Sequence, residues 1–302
     1  MAQIDTIADR SSGTAVAGKA YFETSTNKFI VYNGSSWVEF DSDGTGSVPP
    51  FENRWGASFD GSNDYLDLGS STFFNTSSAF SYSGWVKLDS YSSAYQTISQ
   101  FKTNHSNGFV LMLSNTGNYT GLNIGSNDTS NMMKVRTAGD ISSTFLNWTH
   151  IAMTYSGSGA STSSNYKIYI NGSEVSTTSS GNLISFNNVN SIGSANAGAS
   201  FPTNGLIDEF AIFNTELSSS DVTAMYNGTA PNGKPTDLTS ASSYDTDRTS
   251  NLLGYWRMGD DSNDSASNAG LISGITDSSG NGNDATQSTA TAQPTFSDLT
   301  GE

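Results

Sequence analysis

The sequence contains no cysteine, so disulfide bonds play no part in holding the fold together. Basic residues are also scarce: 12 Lys and Arg stand against 28 Asp and Glu, which gives a formal net charge of −16. Nucleic acids and anionic membranes recruit clustered Lys and Arg, so this balance argues against both partners. No apolar run approaches the ~18 residues that span a bilayer. The first residues lack the basic and apolar regions of a signal peptide, so neither membrane insertion nor signal-dependent export is expected.

Residues and motifs typical of enzymes are equally rare. Only two histidines occur, His105 and His150, and His150 lies in an alternating segment typical of a strand. The few glutamates are not paired at the strand spacing with which glycoside hydrolases place two carboxylates across a groove. The sequence also lacks a G-x-S-x-G elbow, a phosphate-binding loop, a dinucleotide fingerprint and a zinc-spaced Cys/His set. We therefore predict that the chain is not an enzyme.

Small polar residues and aromatics are abundant instead. Gly numbers 30, Ser, Thr and Asn are frequent, and Tyr, Phe and Trp number 13, 16 and 5. Small polar residues suit turns and aromatics suit half-buried strand faces, so the composition predicts an all-β fold of many short strands. One such hairpin is predicted to turn at Asn171-Gly172. A single short helix is predicted within Thr215–Gly228, capped by Ser218 and Asp221.

Residues 1–47 are predicted to form a small β module. Strand-like runs at Tyr21–Glu23, Lys28–Tyr32 and Trp37–Phe40 surround a turn signal at Asn33-Gly34. A sheet of this size is too small for an independent core and needs a partner. The run of residues 20–40 resembles short units of phage tail-fibre and other virion proteins, which implies attachment or oligomerisation. The alternative is an extra hairpin packed on the main domain.

Asp41–Pro50 has the composition of a linker. The main domain is therefore predicted to span residues 48–302, with a core at 51–229 and an extension at 230–302.

Four segments of this core, in this order, carry a family resemblance: Phe59–Leu68, Phe80–Leu88, Asn147–Tyr155 and Gly205–Phe213. They resemble the laminin-G-like, concanavalin-A-type domains in their pentraxin-like branch. The resemblance implies an antiparallel jelly-roll β-sandwich that presents glycans or proteins to a rim built from loops. Animal extracellular sandwiches of this kind usually carry disulfides. Their absence favours assembly in a bacterial or phage-infected cytoplasm.

Two further family-like segments, Leu252–Asp260 and Asp277–Thr286, occur in an unusual place. In most laminin-G-like sequences the corresponding segments come first, whereas here they come last. A circular permutation would let residues 230–302 complete the same sandwich from the other end. The alternative is a truncated second copy, or an extension that pairs with a neighbouring subunit.

Calcium is the metal that the resemblance implies, because hard cations bind carboxylate and carbonyl oxygens gathered from turns. Carried over to this sequence, the ligands are Asp60, Asn63 and Asp208, with Glu209 and Asp64 as weaker candidates. In the structural alternative, Asp60 belongs to a hairpin turn and Asp208 caps backbone amides. Further acidic turns, such as Asp260-Asp261, are interpreted as solvated loops.

Sugar binding would require aromatic faces and amide or carboxylate groups on a rim. The loops Asp89–Tyr95 and Thr116–Thr120 have that composition, but the sequence names no ligand-binding residue. We predict a non-enzymatic phage virion surface protein, such as a fibre, spike or capsid decoration, assembled in the host cytoplasm. Its N-terminal module would contact other virion proteins or form a homo-oligomer, with a trimer favoured, and its sandwich would contact a host glycan or protein. A capsid cement without ligand and a bacterial adhesin are the alternatives.

Overall fold

The computed structural model describes residues 5–7, 20–23, 28–32, 37–40, 53–74, 77–91, 95–102, 109–114, 121–128, 131–139, 141–159, 162–180, 189–228 and 237–300. The chain divides into two compact units, Met1–Glu52 and Asn53–Glu302. The sequence-based boundary lay at residue 47, inside the predicted linker, and Asp41–Pro50 falls outside the described residues.

The first unit is a four-stranded sheet of β1 (Asp5–Ile7), β2 (Ala20–Glu23), β3 (Lys28–Tyr32) and β4 (Trp37–Phe40). Three of these strands coincide with the sequence-predicted runs, and β1, which pairs parallel with β2, was not predicted. Strands β3 and β4 pair antiparallel up to Tyr32 and Trp37. The turn predicted at Asn33-Gly34 lies outside the described residues.

The second unit is a two-layer β-sandwich with one helix among its described residues. Its elements are β5 (Trp55–Asp60), β6 (Leu66–Asp67), β7 (Phe80–Leu88), β8 (Tyr95–Phe101), β9 (Phe109–Ser114), β10 (Gly121–Asp128), β11 (Asn131–Thr137), β12 (Thr149–Tyr155), β13 (Tyr166–Ile170), β14 (Ser173–Val175), β15 (Thr177–Ser180), β16 (Ser191–Ile192), β17 (Asn204–Phe213), α1 (Ser219–Gly228), β18 (Leu252–Trp256), β19 (Gly274–Ile275), β20 (Ala285–Thr286) and β21 (Thr295–Asp298).

One sheet has the order β15-β11-β10-β9-β8-β16-β6-β20-β19, and the other has the order β14-β13-β12-β7-β17-β5-β21 with β18 on β17. The described strand pairs of both sheets are antiparallel, which confirms the predicted all-β antiparallel sandwich.

Aromatic rings fill the space between the sheets. Phe80 of β7 stacks on Phe74 with ring centres 4.2 Å apart, and Phe101 of β8 lies 6.0 Å from Phe210 of β17. Trp256, from the C-terminal part of the chain, lies 6.4 Å from Phe210 in the same cluster. These rings are fully buried, as strand alternation predicts for one face of each sheet.

The C-terminal part of the chain adds strands to both layers. Strand β18 pairs with β17 and β21 pairs with β5 in one sheet, while β20 pairs with β6 in the other. The backbone N–H of Leu299 donates to the carbonyl of Arg54 at 2.7 Å, so the two ends of the described sandwich lie side by side. Residues 252–298 are thus an integral part of this fold.

Helix α1 lies on the outer face of the sheet that contains β7, with Tyr226 stacked on Trp85 at 5.7 Å. Its predicted cap is present: Asp221 N–H donates to Ser218 Oγ at 3.0 Å, and Ser218 N–H donates to Asp221 Oδ2 at 3.1 Å. The predicted turn at Asn171-Gly172 also forms, with φ of 49° and 75°, and joins β13 to β14. No helix of the described residues is long and apolar enough to cross a membrane.

Asp221 also fastens α1 to the segment that follows it. Its fully buried carboxylate accepts the N–H of Thr246 at 2.9 Å and forms an ion pair with Arg248, whose Nη2 lies 2.9 Å away. Burial raises its pKa, but the hydrogen bonds from Thr246, Ser218 and Arg248 outweigh burial and lower the pKa below the usual value.

Replacing Asp221 by Ala should lower the free energy of unfolding of the full chain by about 3 kcal/mol, because Arg248 loses its partner and the helix loses its cap. Chemical unfolding measures this loss. The exposed Asp245→Ala is the matched control and should change stability by less than about 0.5 kcal/mol. Equal stability of the two variants would contradict the assigned role of Asp221.

Candidate functional site

Strand β17 has two successive partners along one edge. Strand β5 pairs with its first half, up to Ile207↔Ala57, and β18 pairs with its second half, from Phe210↔Trp256. Between the halves, β17 carries a bulge with one extra residue relative to β7. Glu209 lies in this bulge with φ of 48°, a left-handed conformation that is uncommon for residues other than glycine. The bulge places two consecutive carboxylates where β5 and β18 meet.

The two carboxylates, Asp208 and Glu209, are joined by a third, Asp260, and one oxygen of each lies within 4.8 Å of the others. Asn53, Tyr255 and Arg257 surround them, and we name these six residues the junction cluster. Asp208 and Glu209 are 0% and 2% exposed. Asp208 and Glu209 are therefore closed to solvent, while Asp260 is only partly buried.

Protein donors reach both carboxylates of the bulge. The Asn53 side chain donates through Nδ2 to Asp208 Oδ2 at 2.9 Å and to Glu209 Oε1 at 3.2 Å. Asp208 Oδ1 accepts the N–H of Glu209 at 2.8 Å. Glu209 also accepts the hydroxyl of Tyr255 and the Nε–H of Arg257, the latter at 3.3 Å.

Asp260 belongs to the segment after β18 and binds the start of β5. Its carboxylate accepts the backbone N–H groups of Arg54 and Trp55, each at 3.0 Å. Arg257, on the same segment, donates through Nη1 to the carbonyl of Asp260 at 2.9 Å. The side chains of the junction cluster thereby join the start of β5 to the end of β18.

Burial dominates the electrostatics of the junction cluster. It raises the pKa of Asp208 well above the usual value, and the charges of Glu209 and Asp260 raise it further. Burial raises the pKa of Asp260 to about 7, against the two backbone N–H groups that lower it. Burial also raises the pKa of Glu209, although Arg257 and the Tyr255 hydroxyl oppose that shift.

Three carboxylates in one place resemble the acid and base groups of a glycoside hydrolase, but their surroundings are different. Such enzymes expose a carboxyl pair across a substrate groove. Here the oxygens of Asp208 and Glu209 are buried and are bound by protein donors. The junction cluster is arranged to hold strands together rather than to reach a substrate.

A second arrangement with the appearance of catalytic chemistry is the pair Ser83 and His150. Ser83 Oγ lies 2.8 Å from His150 Nε2, a distance typical of a nucleophile and its base. The His150 ring is 1% exposed beneath Trp85 and Tyr226, and burial lowers its pKa to about 3. The pair is closed to solvent, and His150 lies in β12, as its alternating segment predicts.

The sequence-predicted metal ligands are not gathered at one place. Asp60 pairs with Asn204 at the start of β17, four residues and about 13 Å along the strand from Asp208. Asp60 Oδ1 accepts the N–H of Ser62 at 2.8 Å, and Asp64 accepts the N–H of Asp60 at 3.0 Å. Asp60, Asn63 and Asp208 therefore do not fit a single ion. Burial raises the pKa of Asp64 to about 6.

Asp60 and Asn63 belong instead to a rim at the end of the sandwich where β17 begins. We define the rim as residues 60–65, 89–91, 95 and 196–204. Its loops are joined by hydrogen bonds from the backbone N–H groups of Gly61 to Thr203 O at 2.9 Å and of Asp89 to Asn204 O at 3.1 Å.

The rim carries half-buried aromatic rings. Tyr95 and Phe201 meet edge to face with centres 5.1 Å apart. The Tyr65 ring lies against Gly198, where φ is 84° and an added Cβ would approach the ring to 2.9 Å. Loop Thr116–Thr120, the other predicted rim loop, lies outside the described residues. The described rim thus combines aromatic faces with Asp and Asn side chains.

A shallow groove of about 490 Å³ lies beside α1, lined by Ser219, Ser220, Thr223, Ala224, Asn227, Tyr244 and Asp245. Tyr244 is buried, and its hydroxyl donates to the carbonyl of Leu238. The groove is therefore polar and presents no open aromatic face, unlike the rim.

A comparison with protein families shows to which superfamily the sandwich belongs. The Laminin_G_3 model, described as the concanavalin A-like lectin/glucanases superfamily, matches residues 60–223, more than half of the chain. The chain belongs to this superfamily. No curated protein is similar to it in sequence. The matched region runs from the last residue of β5 into the first half of α1, and it includes neither the N-terminal unit nor the strands after α1.

Several solved structures are similar to the chain. A candidate carbohydrate binding protein from Bacteroides ovatus has a TM-score of 0.52 at 16% identity, over 94% of this chain and 70% of that one. The heptameric SAP-like pentraxin of Limulus polyphemus has a TM-score of 0.39 at 14% identity, over 61% and 87%. The CBM40 of the Ruminococcus gnavus IT-sialidase has a TM-score of 0.40 at 15% identity, over 57% and 98%. At these identities the likeness concerns the fold alone.

Two members of the junction cluster, Asp208 and Glu209, were singled out from the sequence, but as ligands of a calcium site together with Asp60 and Asn63. The interpretation of Asp260 as part of a solvated loop was wrong, because its carboxylate binds the start of β5. The available signal was the pair of family-like segments in unusual order, which indicated that residues 230–302 could complete the same sandwich. The bulge itself has no sequence signal, since Glu209 replaces the glycine that such a conformation favours.

Arg257→Met should lower the free energy of unfolding by about 3–5 kcal/mol, because it keeps the side-chain volume while removing the only guanidinium that contacts Glu209 among the described residues. Chemical unfolding of the full chain measures the effect. Lys167→Met, at an exposed ion pair with Glu174, is the control and should cost less than about 1 kcal/mol. A similar small loss for both variants would show that the cluster does not need this charge.

The neutral, buried His150 should make the fold acid-sensitive. Its folded pKa of about 3 lies below the usual 6.5, so the unfolded chain binds a proton that the folded chain excludes. The free energy of unfolding that neutral His150 contributes is therefore fully present above pH 6.5. It is lost as pH falls, by about 1.4 kcal/mol per pH unit down to pH 3. His150→Gln, which keeps a polar partner for Ser83, should lose less stability between pH 6.5 and pH 4. Unfolding midpoints at the two pH values test this, and parallel losses would refute it.

Proposed function

We propose that the chain is a non-enzymatic, lectin-like module that binds glycans through the rim. The observation that carries this proposal is the composition of the rim: half-buried aromatic rings beside Asp60, Asn63 and Asn204, on loops that hydrogen bonds hold together. Aromatic faces pack on sugar rings, and amides and carboxylates bind sugar hydroxyls. Loops that are already ordered lose little entropy on binding.

The buried carboxylates support the non-enzymatic part of the proposal. A hydrolase of this fold needs an acid and a base that touch substrate, whereas Asp208 and Glu209 bind Asn53, Tyr255 and Arg257 inside the protein. The rim, by contrast, offers surface groups suited to recognition. Binding without turnover is the activity that these two features favour together.

We further propose that the module is displayed on a phage virion assembled in the host cytoplasm, as a fibre, spike or decoration. The support is the likeness of residues 20–40 to virion attachment units, together with the absence of cysteine. In this proposal the N-terminal sheet binds other virion proteins or assembles the chain into a trimer, while the rim binds a host surface glycan. A trimer that is lost on removal of residues 1–47, measured by light scattering, is the expected outcome.

The binding proposal is tested by applying the full chain to an array of bacterial surface polysaccharides. We expect retention of at least one glycan class, and a loss of about fivefold in affinity for Tyr65→Ala, since an aromatic stacking contact contributes on the order of 1 kcal/mol. Tyr65→Phe should keep most of the affinity, and Lys167→Ala, at an exposed ion pair on β13, should keep all of it. An array without any retained glycan would favour a structural cement instead.

Calcium binding through Asp60 and Asn63 stays a prediction. Thermal melts of the full chain in calcium and in EDTA test it, with an expected gain of about 2.7 kcal/mol at a hundredfold excess of calcium over its dissociation constant. Asp60→Asn should abolish the gain while keeping the turn, because an amide oxygen still accepts the Ser62 N–H. Identical melts in calcium and EDTA would remove calcium from the proposal.

A further inference from the structure

The rim contains acidic residues but no Lys or Arg. Its acidic residues are Asp60, Asp64 and Asp89, of which Asp64 is buried while Asp60 and Asp89 are exposed. The residues 92–94, which connect two parts of the rim in the sequence, add only Ser and Ala. The charge that the rim presents to a ligand at neutral pH is therefore negative.

The two exposed carboxylates flank Asn204, on either side of the first residue of β17. Asn204 pairs with Asp60 of β5, and the Asn204 carbonyl accepts the N–H of Asp89 at 3.1 Å. Neighbouring strands lie about 4.8 Å apart, so Asn204 separates the backbones of Asp60 and Asp89 by about 10 Å. Gln96 orders this row, since its Oε1 accepts the N–H of Asn204 at 2.8 Å and its Nε2 donates to the Ser90 carbonyl at 2.9 Å. A sugar bound against Asn204 would therefore lie between two negative charges.

Most basic residues of the sandwich are committed elsewhere. Four of them pair with carboxylates outside the rim: Arg54, Lys167, Arg248 and Arg257. Among the described residues, no cation forms an ion pair with Asp60 or Asp89. The Asp60 carboxylate accepts only a backbone N–H group, that of Ser62. The negative charges at the rim are therefore not neutralised by these residues.

The other described cations do not reverse this charge. Lys87, half-buried near the end of β7, supplies one positive charge against two negative ones. Strand β11, with Lys134 and Arg136, lies three strands from β8 and so about 14 Å from the backbone of Gln96, whereas physiological salt screens charges beyond about 8 Å. Lys102 lies six residues after Gln96, about 20 Å along β8. An anionic ligand would thus meet net negative charge at the rim.

We propose that the rim selects glycans without acidic groups and rejects glycans that carry carboxylate, sulfate or phosphate groups. This inference rests on the glycan binding proposed for the rim and names the class of glycan. The aromatic rings of the rim pack on the apolar faces of sugars whatever their charge, so they do not discriminate between the two classes. The carboxylates of Asp60 and Asp89 do discriminate, because they accept hydrogen bonds from sugar hydroxyls and repel anions.

Binding of the full chain to matched polysaccharides in EDTA tests the proposal. Each neutral polysaccharide that the array retains is compared with its carboxymethylated form, and its hydroxyethylated form controls for added bulk without charge. At low ionic strength we expect carboxymethylation to lower the affinity by about tenfold or more, and hydroxyethylation to lower it far less. In about 0.5 M salt most of the difference should disappear, because charges are then screened beyond about 4 Å.

A variant with both Asp60→Asn and Asp89→Asn tests the assigned residues. We expect the ratio of the affinities for the neutral and the carboxymethylated forms to fall by about fivefold or more, because the repelling charges are gone. The matched control carries Glu174→Gln and Asp245→Asn, which remove two exposed charges outside the rim, and it should keep the wild-type ratio.

Equal or tighter binding of the carboxymethylated forms, or retention of acidic polysaccharides in preference to neutral ones, would overturn this inference and leave glycan binding by the rim intact. The same preference in calcium would also overturn it, since a bound cation would then supply the positive charge. An array without any retained polysaccharide would remove both proposals. Should the double variant fail to fold, the salt dependence of the wild type decides, and a ratio of affinities that does not change with salt would overturn the inference.

Discussion

The sandwich depends on how β17 accommodates two partners on one edge. Strands β5 and β18 meet end to end beside it, and the bulge at Asp208 and Glu209 turns two carboxylates into the gap between them. Backbone pairing with β17 holds β5 and β18 separately, and side chains of the junction cluster join the two strands to each other. The left-handed backbone at Glu209 is a local cost that the hydrogen bonds of Tyr255, Arg257 and Asn53 offset.

Those features of the fold that follow from local rules could be predicted from the sequence. Alternation of aromatic and small polar residues identified the strands, Ser218 and Asp221 identified the start of α1, and Asn171-Gly172 identified a hairpin. The remaining features depend on contacts between residues that are distant in sequence. Asp260 is separated from Trp55 by 205 positions, so no periodicity relates them, and β1 is a three-residue strand whose parallel pairing leaves no pattern in the sequence.

The sandwich separates its buried charge from its recognition surface. The carboxylates of the junction cluster are committed to protein donors in the middle of β17, while the loops at the start of β17 leave aromatic rings and amides at the surface. Such a division suits a superfamily in which one scaffold supports different loops, because changes at the rim leave the junction intact. It also explains why acidic residues alone are a poor guide to a metal site in this chain.

The closeness of Arg54 and Leu299 has a mechanical consequence. Trp55 pairs with Asp298, so β5 and β21 begin and end at the same place and run antiparallel away from it. A force that separates these two points would open the ladder one pair at a time, as a zipper opens, rather than shear all of its hydrogen bonds together. The hydrogen bonds from the start of β5 to Asp260 and the ion pair of Arg54 with Asp298 would be the first contacts to bear that force. The resistance of the whole sandwich to tension is therefore concentrated in a few contacts at one corner.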